Sequence, residues 1–301
     1  MSDGLWIILI GALVASSCAL VGCFLVLRRL SMLGDAISHA VLPGIVLAFF
    51  FSGSRDILPM MIGAGAMGLL TAWLTDVLSR FGKLQNDAAM GVTFTWLFAI
   101  GVILVSRFTG QVDLDVDCVL YGEIEYAPFT PMEWMTSNGL VALGPRAVWL
   151  VGFMTLANLA FVVLGYKYLK VCAFDSALAA SMGINVTLWH YVLMGFVSAT
   201  TVAAFESVGA VLVVAMLIVP PNTAYLLTDR LSHMLILSVL IGALSSVLGY
   251  GIAYTIDGST AAGIAVAAGF FHLLAVFFAP RYGVLVRFLH RPKWISPEEQ
   301  V

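Results

Sequence analysis

The chain has 301 residues, of which 61% are hydrophobic and only 10% charged, and its formal net charge is −3. A soluble globular domain carries about 25% charged residues, so a chain this poor in charge cannot cover its own surface in water and reads as an integral membrane protein. The small negative charge also gives nucleic acid no basic face to bind.

A helix needs about 20 apolar residues to cross a bilayer. Runs of that kind lie at 5–27, 36–51, 58–78, 88–105, 148–166, 188–205, 208–228, 234–254 and 261–279. The first has no basic stretch before it, and it exceeds the roughly 7–15 apolar residues of a secretory signal, so a retained membrane helix is expected. The short second run leaves eight spans open beside nine. The alternation of a membrane β-barrel is absent. The predicted fold is an all-α polytopic bundle of 8–9 transmembrane helices in a single domain, residues 1–301.

With the N-terminus outside, Arg28, Arg29, Arg80, Lys83, Lys167, Lys170, Arg230, Arg281, Arg287, Arg291 and Lys293 fall on the cytoplasmic side, leaving only Arg55, Arg107 and Arg146 outside. The positive-inside rule then predicts N-out, C-in, with a cytoplasmic tail at 281–301. The longest non-spanning stretch, 109–146, falls outside and carries Asp113, Asp115, Asp117, Glu123 and Glu125. Its alternation of Asp with apolar residues fits a short strand or a surface-lying helix. Its charge suits either a cation-attracting rim or a plain solvated loop. The four cysteines fit no metal-knuckle spacing and read as small apolar packing residues. No GxxxxGK[ST] loop is present, so the chain is not expected to be an enzyme, and any ATP hydrolysis would belong to another polypeptide.

Ionisable residues inside spans are costly and mark candidate function. They are Asp35 and His39 at the start of the second span, Glu206 between the sixth and seventh, and His272 within the ninth. Asp76 and His190 lie near span ends, where a polar head can snorkel to the interface. Asp35 and His39 stand i, i+4, on one helix face. A carboxylate with an imidazole suits Mn, Fe or Zn. Two ligands leave a shell incomplete, and a symmetric pair of chains would supply two Asp and two His. The competing reading makes Asp35 a helix N-cap after Gly34, with His39 bonded to it. Pro43 frees the carbonyl of His39 within the helix. Pro220 and Pro221, followed by Asn222, free the carbonyls of Met216 and Leu217, either on a substrate path or as simple kinks. The segment 173–184, with FDSALAASMGI, reads as a short cytoplasmic helix fitted to a partner's groove or lying on lipid.

The stretches LRRLSMLGDAISHAVLPGI, FDSALAASMGI, ESVGAVLVVAMLIVPPNTAYLLT and DGSTAAGIAVAAGFFHLLAVFFAP resemble the membrane permease subunits of the manganese/zinc/iron ABC transporter family, in the family's order. The resemblance implies a multi-pass subunit of the bacterial cytoplasmic membrane working with cytoplasmic ABC ATPases, an extracytoplasmic metal-binding protein and a second permease chain, identical or paralogous. It implies no permanently bound cofactor and a transported divalent metal, manganese first and zinc or iron as alternatives. Asp35 and His39 would be the metal ligands. Asp175, Ala177, Ala179 and Gly183 would couple to the ATPase, and Pro43, Glu206, Pro220, Pro221, Asn222 and His272 would line or gate the path. The family's Pro–small–small–Thr–Ala pattern is altered here to Pro220-Pro221-Asn222-Thr223-Ala224. The rival is a gradient-driven cation transporter using Asp35, His39 and His272 as a relay, which would not need the 175–183 segment.

Overall fold

The computed structural model describes residues 3–52, 57–108, 124–136, 139–279 and 283. The long helices are α1 (Asp3–Leu27), α2 (Ser31–Ser52), α3 (Ile57–Gly82), α4 (Asn86–Phe108), α5 (Arg146–Phe174), α7 (Val186–Leu227), α8 (Leu231–Ile256) and α9 (Thr260–Phe278), and one short helix, α6 (Ser176–Ser181), joins α5 to α7. Between α4 and α5 lies an antiparallel pair, β1 (Pro131–Thr136) and β2 (Gly139–Pro145), with Thr136 opposite Gly139 and an irregularity between Pro131 and Glu133. The sequence pattern did not announce this hairpin.

Helix α7 is really two spans. As one straight rod its 42 residues would be about 63 Å long, twice the hydrocarbon thickness. Gly209, at φ 75° and ψ 169°, breaks it. Asn158 bridges Thr200 and Ser17, while the carbonyl of Leu217 lies against Gly22. Ser17 and Gly22 are only about 7.5 Å apart along α1, so the chain folds back at Gly209 instead of running on. The described residues thus hold nine helices long and apolar enough to span a membrane, and the eight-span alternative falls, since α2 is a full 22 residues.

α1 is the central post, with Ile10, Val14, Cys18, Val21 and Phe24 fully buried. Lipid tails are as apolar as leucine, so helices in a bilayer associate through close packing and interhelical hydrogen bonds. Both are present. Gly44 of α2 and Gly63 of α3 face each other so closely that a Cβ on either meets the other's carbonyl oxygen at 2.5 Å. Asn158 of α5, buried, donates to Ser17 Oγ at 2.8 Å and Thr200 Oγ1 at 2.7 Å, tying three helices at one point.

Candidate functional site

α2 begins at Ser31, a turn before Asp35, so Asp35 caps no helix. Ser38 Oγ donates to the Asp35 carbonyl at 2.7 Å. Along α2 the residues Leu33, Ala36, Ile37, Ala40, Val41 and Gly44 are buried, while Met32, Asp35, His39 and Leu42 form a partly exposed stripe. His39 Nε2 lies 3.5 Å from Asp35 Oδ1, and each side chain is 34% exposed. The pair therefore looks outward from the chain. The opposite side of α2 backs onto the body of the bundle, with Ile37 against Gly68 in the middle of α3.

Two aromatic rings that the sequence pattern did not single out hold His39 from α4. Phe94 is 5.7 Å from the imidazole and tilted, and Phe98 is 5.8 Å away, edge-on. They stand i, i+4 on α4, the same spacing as Asp35 and His39, and that match was the available clue. Among the described residues no third His, Cys, Asp or Glu joins the pair into a metal cluster. One chain offers a carboxylate and an imidazole on a partly exposed face.

Pro43 stands one turn beyond His39 on the same side of α2, also against α4. Pro43 lies buried inside α2, which stays helical through it, and its ring packs where Gly101 of α4 leaves room: a Cβ there would meet Pro43 Cδ at 2.8 Å. Pro220 and Pro221 are buried in the second limb of α7, with Asn222 half-buried. The Leu217 carbonyl that Pro221 releases is aimed at Gly22 of α1, and the Leu217 side chain fills the space beside Gly34, the residue before Asp35. The α7 break thus packs against the helix carrying the pair. His272 does not join Asp35 or His39. Its Nδ1 is 3.1 Å from Thr223 Oγ1. Because that hydroxyl donates to the Val219 carbonyl at 2.7 Å, it accepts from His272, which fixes the imidazole's tautomer. His272 is a contact between α7 and α9, so the proposed three-residue relay is not assembled here. Glu206 lies between the two spans of α7, as expected, three residues before the Gly209 fold-back; its side chain is outside the described residues.

The 173–184 segment resolves into the end of α5, up to Phe174, and α6. Asp175 Oδ1 accepts from the backbone N–H of Ala177 at 3.0 Å and of Leu178 at 2.9 Å, capping α6. Gly183, at φ 78°, ends it, and Ile184 N–H returns to the Ala179 carbonyl at 3.0 Å, the left-handed closure that favours glycine. Ala179 is buried, whereas Ala177, Leu178 and Met182 face outward. Of the 109–146 segment, 109–123 and 137–138 lie outside the described residues. Glu125 Oε1 accepts from Thr260 N–H and Oγ1, both at 2.9 Å, and so caps α9. The tail at 281–301 lies outside the described residues except Gly283.

This is the architecture of a polytopic ABC permease, with a single chain's worth of outward-facing polar site. Residues 5–279 match the ABC 3 transport family, and the chain belongs to it. It is 50% identical over 287 residues to the manganese transport system membrane protein MntD of Bacillus subtilis, covering 95% of this chain and 96% of that one. It is 42% identical to the zinc transport system membrane protein TroD of Treponema pallidum, over 94% of this chain and 76% of the relative. The fold is shared with PsaBC from Streptococcus pneumoniae, solved in complex with Fab, at a TM-score of 0.76 and 32% identity over 94% of each chain.

Proposed function

We propose that the chain is the membrane permease of an ATP-driven importer of a divalent transition metal, with manganese the first candidate and zinc or iron the alternatives. The observation that carries the reading is the Asp35–His39 pair, 3.5 Å apart and each 34% exposed at the surface of the chain. Ionisable residues inside a membrane are expensive, and they repay the cost where an ion passes. Two chains meeting along α2 would bring two carboxylates and two imidazoles around one ion, and an oxygen–nitrogen set of that kind suits Mn, Fe or Zn. Phe94 and Phe98 would keep water off one side of the imidazole. The manganese and zinc transport roles named for the relatives support a transition metal as cargo.

In this reading the chain lies in the bacterial cytoplasmic membrane, with its N-terminus and the β1–β2 hairpin outside and α6 inside. An extracytoplasmic metal-binding protein delivers the ion to a cavity between two permease chains, identical or paralogous. Cytoplasmic ABC ATPases bind α6, whose Asp175 cap and Gly183 stop hold a rigid turn with Ala177 exposed and Ala179 packed beneath. Pro43, Pro220, Pro221 and Asn222 loosen the helices where the cavity must open and close, and His272 steadies α7 from α9. The chain itself makes and breaks no bonds. Uptake of radioactive manganese by cells expressing the full transporter tests the reading. Asp35→Asn and His39→Ala should each abolish uptake with the permease still assembled on its ATPase. Wild-type uptake in either would sink it.

A further inference from the structure

At the α6 end of the bundle, a cavity of about 400 Å³ is lined by Arg28, Arg29, Arg80, Asp76, His190 and Ser176, among others. Its charges are already partly engaged. His190 Nε2 lies 3.3 Å from Asp76 Oδ2, and Tyr191 donates to the same oxygen at 3.2 Å. Arg28 Nη1 lies 3.4 Å from His190 Nδ1. An arginine can only donate, so His190 Nδ1 is the acceptor of that contact and Nε2 is the atom that faces Asp76. Asp76 is therefore consumed locally, and the three arginines leave the cavity positive.

The second edge of Arg28 is left over. Its Nε and Nη2 are buried and have no hydrogen-bond partner among the described residues. These two N–H groups lie on the same side of the guanidinium, the edge that takes a carboxylate through two parallel hydrogen bonds. A desolvated, unpaired cationic edge is costly, and burial lowers the pKa of Arg28 from its ordinary value. Arg29 and Arg80 are exposed at the mouth, and Arg29 is held there at φ 57°, a left-handed conformation uncommon outside glycine and asparagine. Ser176, the first residue of α6, forms part of the same wall.

We propose that this cavity is a docking socket for an acidic side chain of the cytoplasmic ATPase, inserted beside α6 with Arg29 and Arg80 as its electrostatic funnel, and that the Arg28 guanidinium turns its buried, unpaired Nε–Nη2 edge into the cavity to receive it. The proposal rests on the reading of α6 as the ATPase contact. Charge complementarity selects the occupant. A socket with three guanidinium groups and one engaged carboxylate repels cations and the metal cargo, and its place beside α6 puts it under whatever α6 docks on.

The test is retention of co-expressed ABC ATPase subunits by the detergent-solubilised permease in a sodium chloride series. Arg29→Glu with Arg80→Glu should weaken retention at least tenfold and shift its loss to lower salt. Arg28→Lys keeps the charge but not the two-pronged edge, and should weaken retention with an unchanged melting temperature of the permease alone. An Asp→Arg or Glu→Arg change on the ATPase that restores binding to the double variant would identify the inserted side chain. If the variants keep the ATPase with the wild-type salt profile, the proposal is wrong and the importer reading stands. The proposal fails equally if they lose only bound phosphatidylglycerol, which makes the socket a lipid-headgroup site, or if deleting residues 295–301, with Glu298 and Glu299, reproduces their effect. If the wild-type permease holds no ATPase at any salt, the importer reading itself falls.

Discussion

Gly63 and Gly65 of α3 allow the packing argument to be tested against its own control. A Cβ at Gly63 would meet the Gly44 carbonyl oxygen at 2.5 Å and Ala48 Cβ at 2.6 Å, whereas one at Gly65 meets nothing within 4 Å. The first contacts fall roughly 1 Å inside the 3.5–4.0 Å optimum for carbon neighbours. The obstructing oxygen is backbone, so it cannot swing away, and α2 and α3 must part. Overpacking of this kind costs about 1–3 kcal/mol. Each glycine-to-alanine change also gains up to about 1 kcal/mol of helix propensity, but that gain is common to both and cancels in the comparison. Gly63→Ala should therefore be less stable than Gly65→Ala by about 1–3 kcal/mol, a factor of roughly 5–150 in the folding equilibrium. Reversible unfolding in one detergent measures it. Because α2 carries Asp35 and His39, Gly63→Ala should also slow metal uptake, while Gly65→Ala leaves it unchanged. Equal stability of the two variants would refute the close α2–α3 approach.

Removing the cap of α6 by Asp175→Ala forfeits two hydrogen bonds and should cost about 0.5–2 kcal/mol of local stability. Metal-dependent ATP hydrolysis by the complex should fall, with Asp175→Asn largely restoring it. Glu125→Ala leaves Thr260 N–H without its acceptor, and amide exchange over 260–263 should speed up several-fold, with the rest of α9 unchanged. Around Asn158, a double-mutant cycle of Asn158→Ala with Thr200→Val should give a coupling of about 0.6 kcal/mol, the usual worth of a hydrogen bond between membrane helices. A coupling of zero would mean that the three-helix junction is held by shape alone.

The number of helices and their approximate spans were legible because lipid demands long apolar helices and little else competes with that demand. Their ends were not. α5 runs on to Phe174, through Lys167 and Lys170, because an interfacial helix tolerates snorkelling lysines and continues after the apolar run stops. The strand pair β1–β2 was missed because two short strands leave a weak pattern. Asp35 and His39 were visible as a same-face pair, and the structure adds the helix start at Ser31 that removes the capping alternative. What spacing alone does not carry is contact across helices. Phe94 and Phe98 on His39, Leu217 beside Gly34, and Thr223 on His272 join residues far apart in the chain. Asp76 and His190, read as two separate snorkelling residues, turn out to touch each other.

In the proposed function Asp35 and His39 hold the transported ion between two chains. The most direct measurement is the metal content of the purified transporter after loading with manganese, zinc or iron, wild type beside the Asp35→Asn/His39→Ala double variant. Roughly one ion for each pair of permease chains is expected in the wild type, since two carboxylates and two imidazoles would complete one shell, and none in the variant. Equal metal content in both proteins would contradict it and leave the pair as an intrahelical contact.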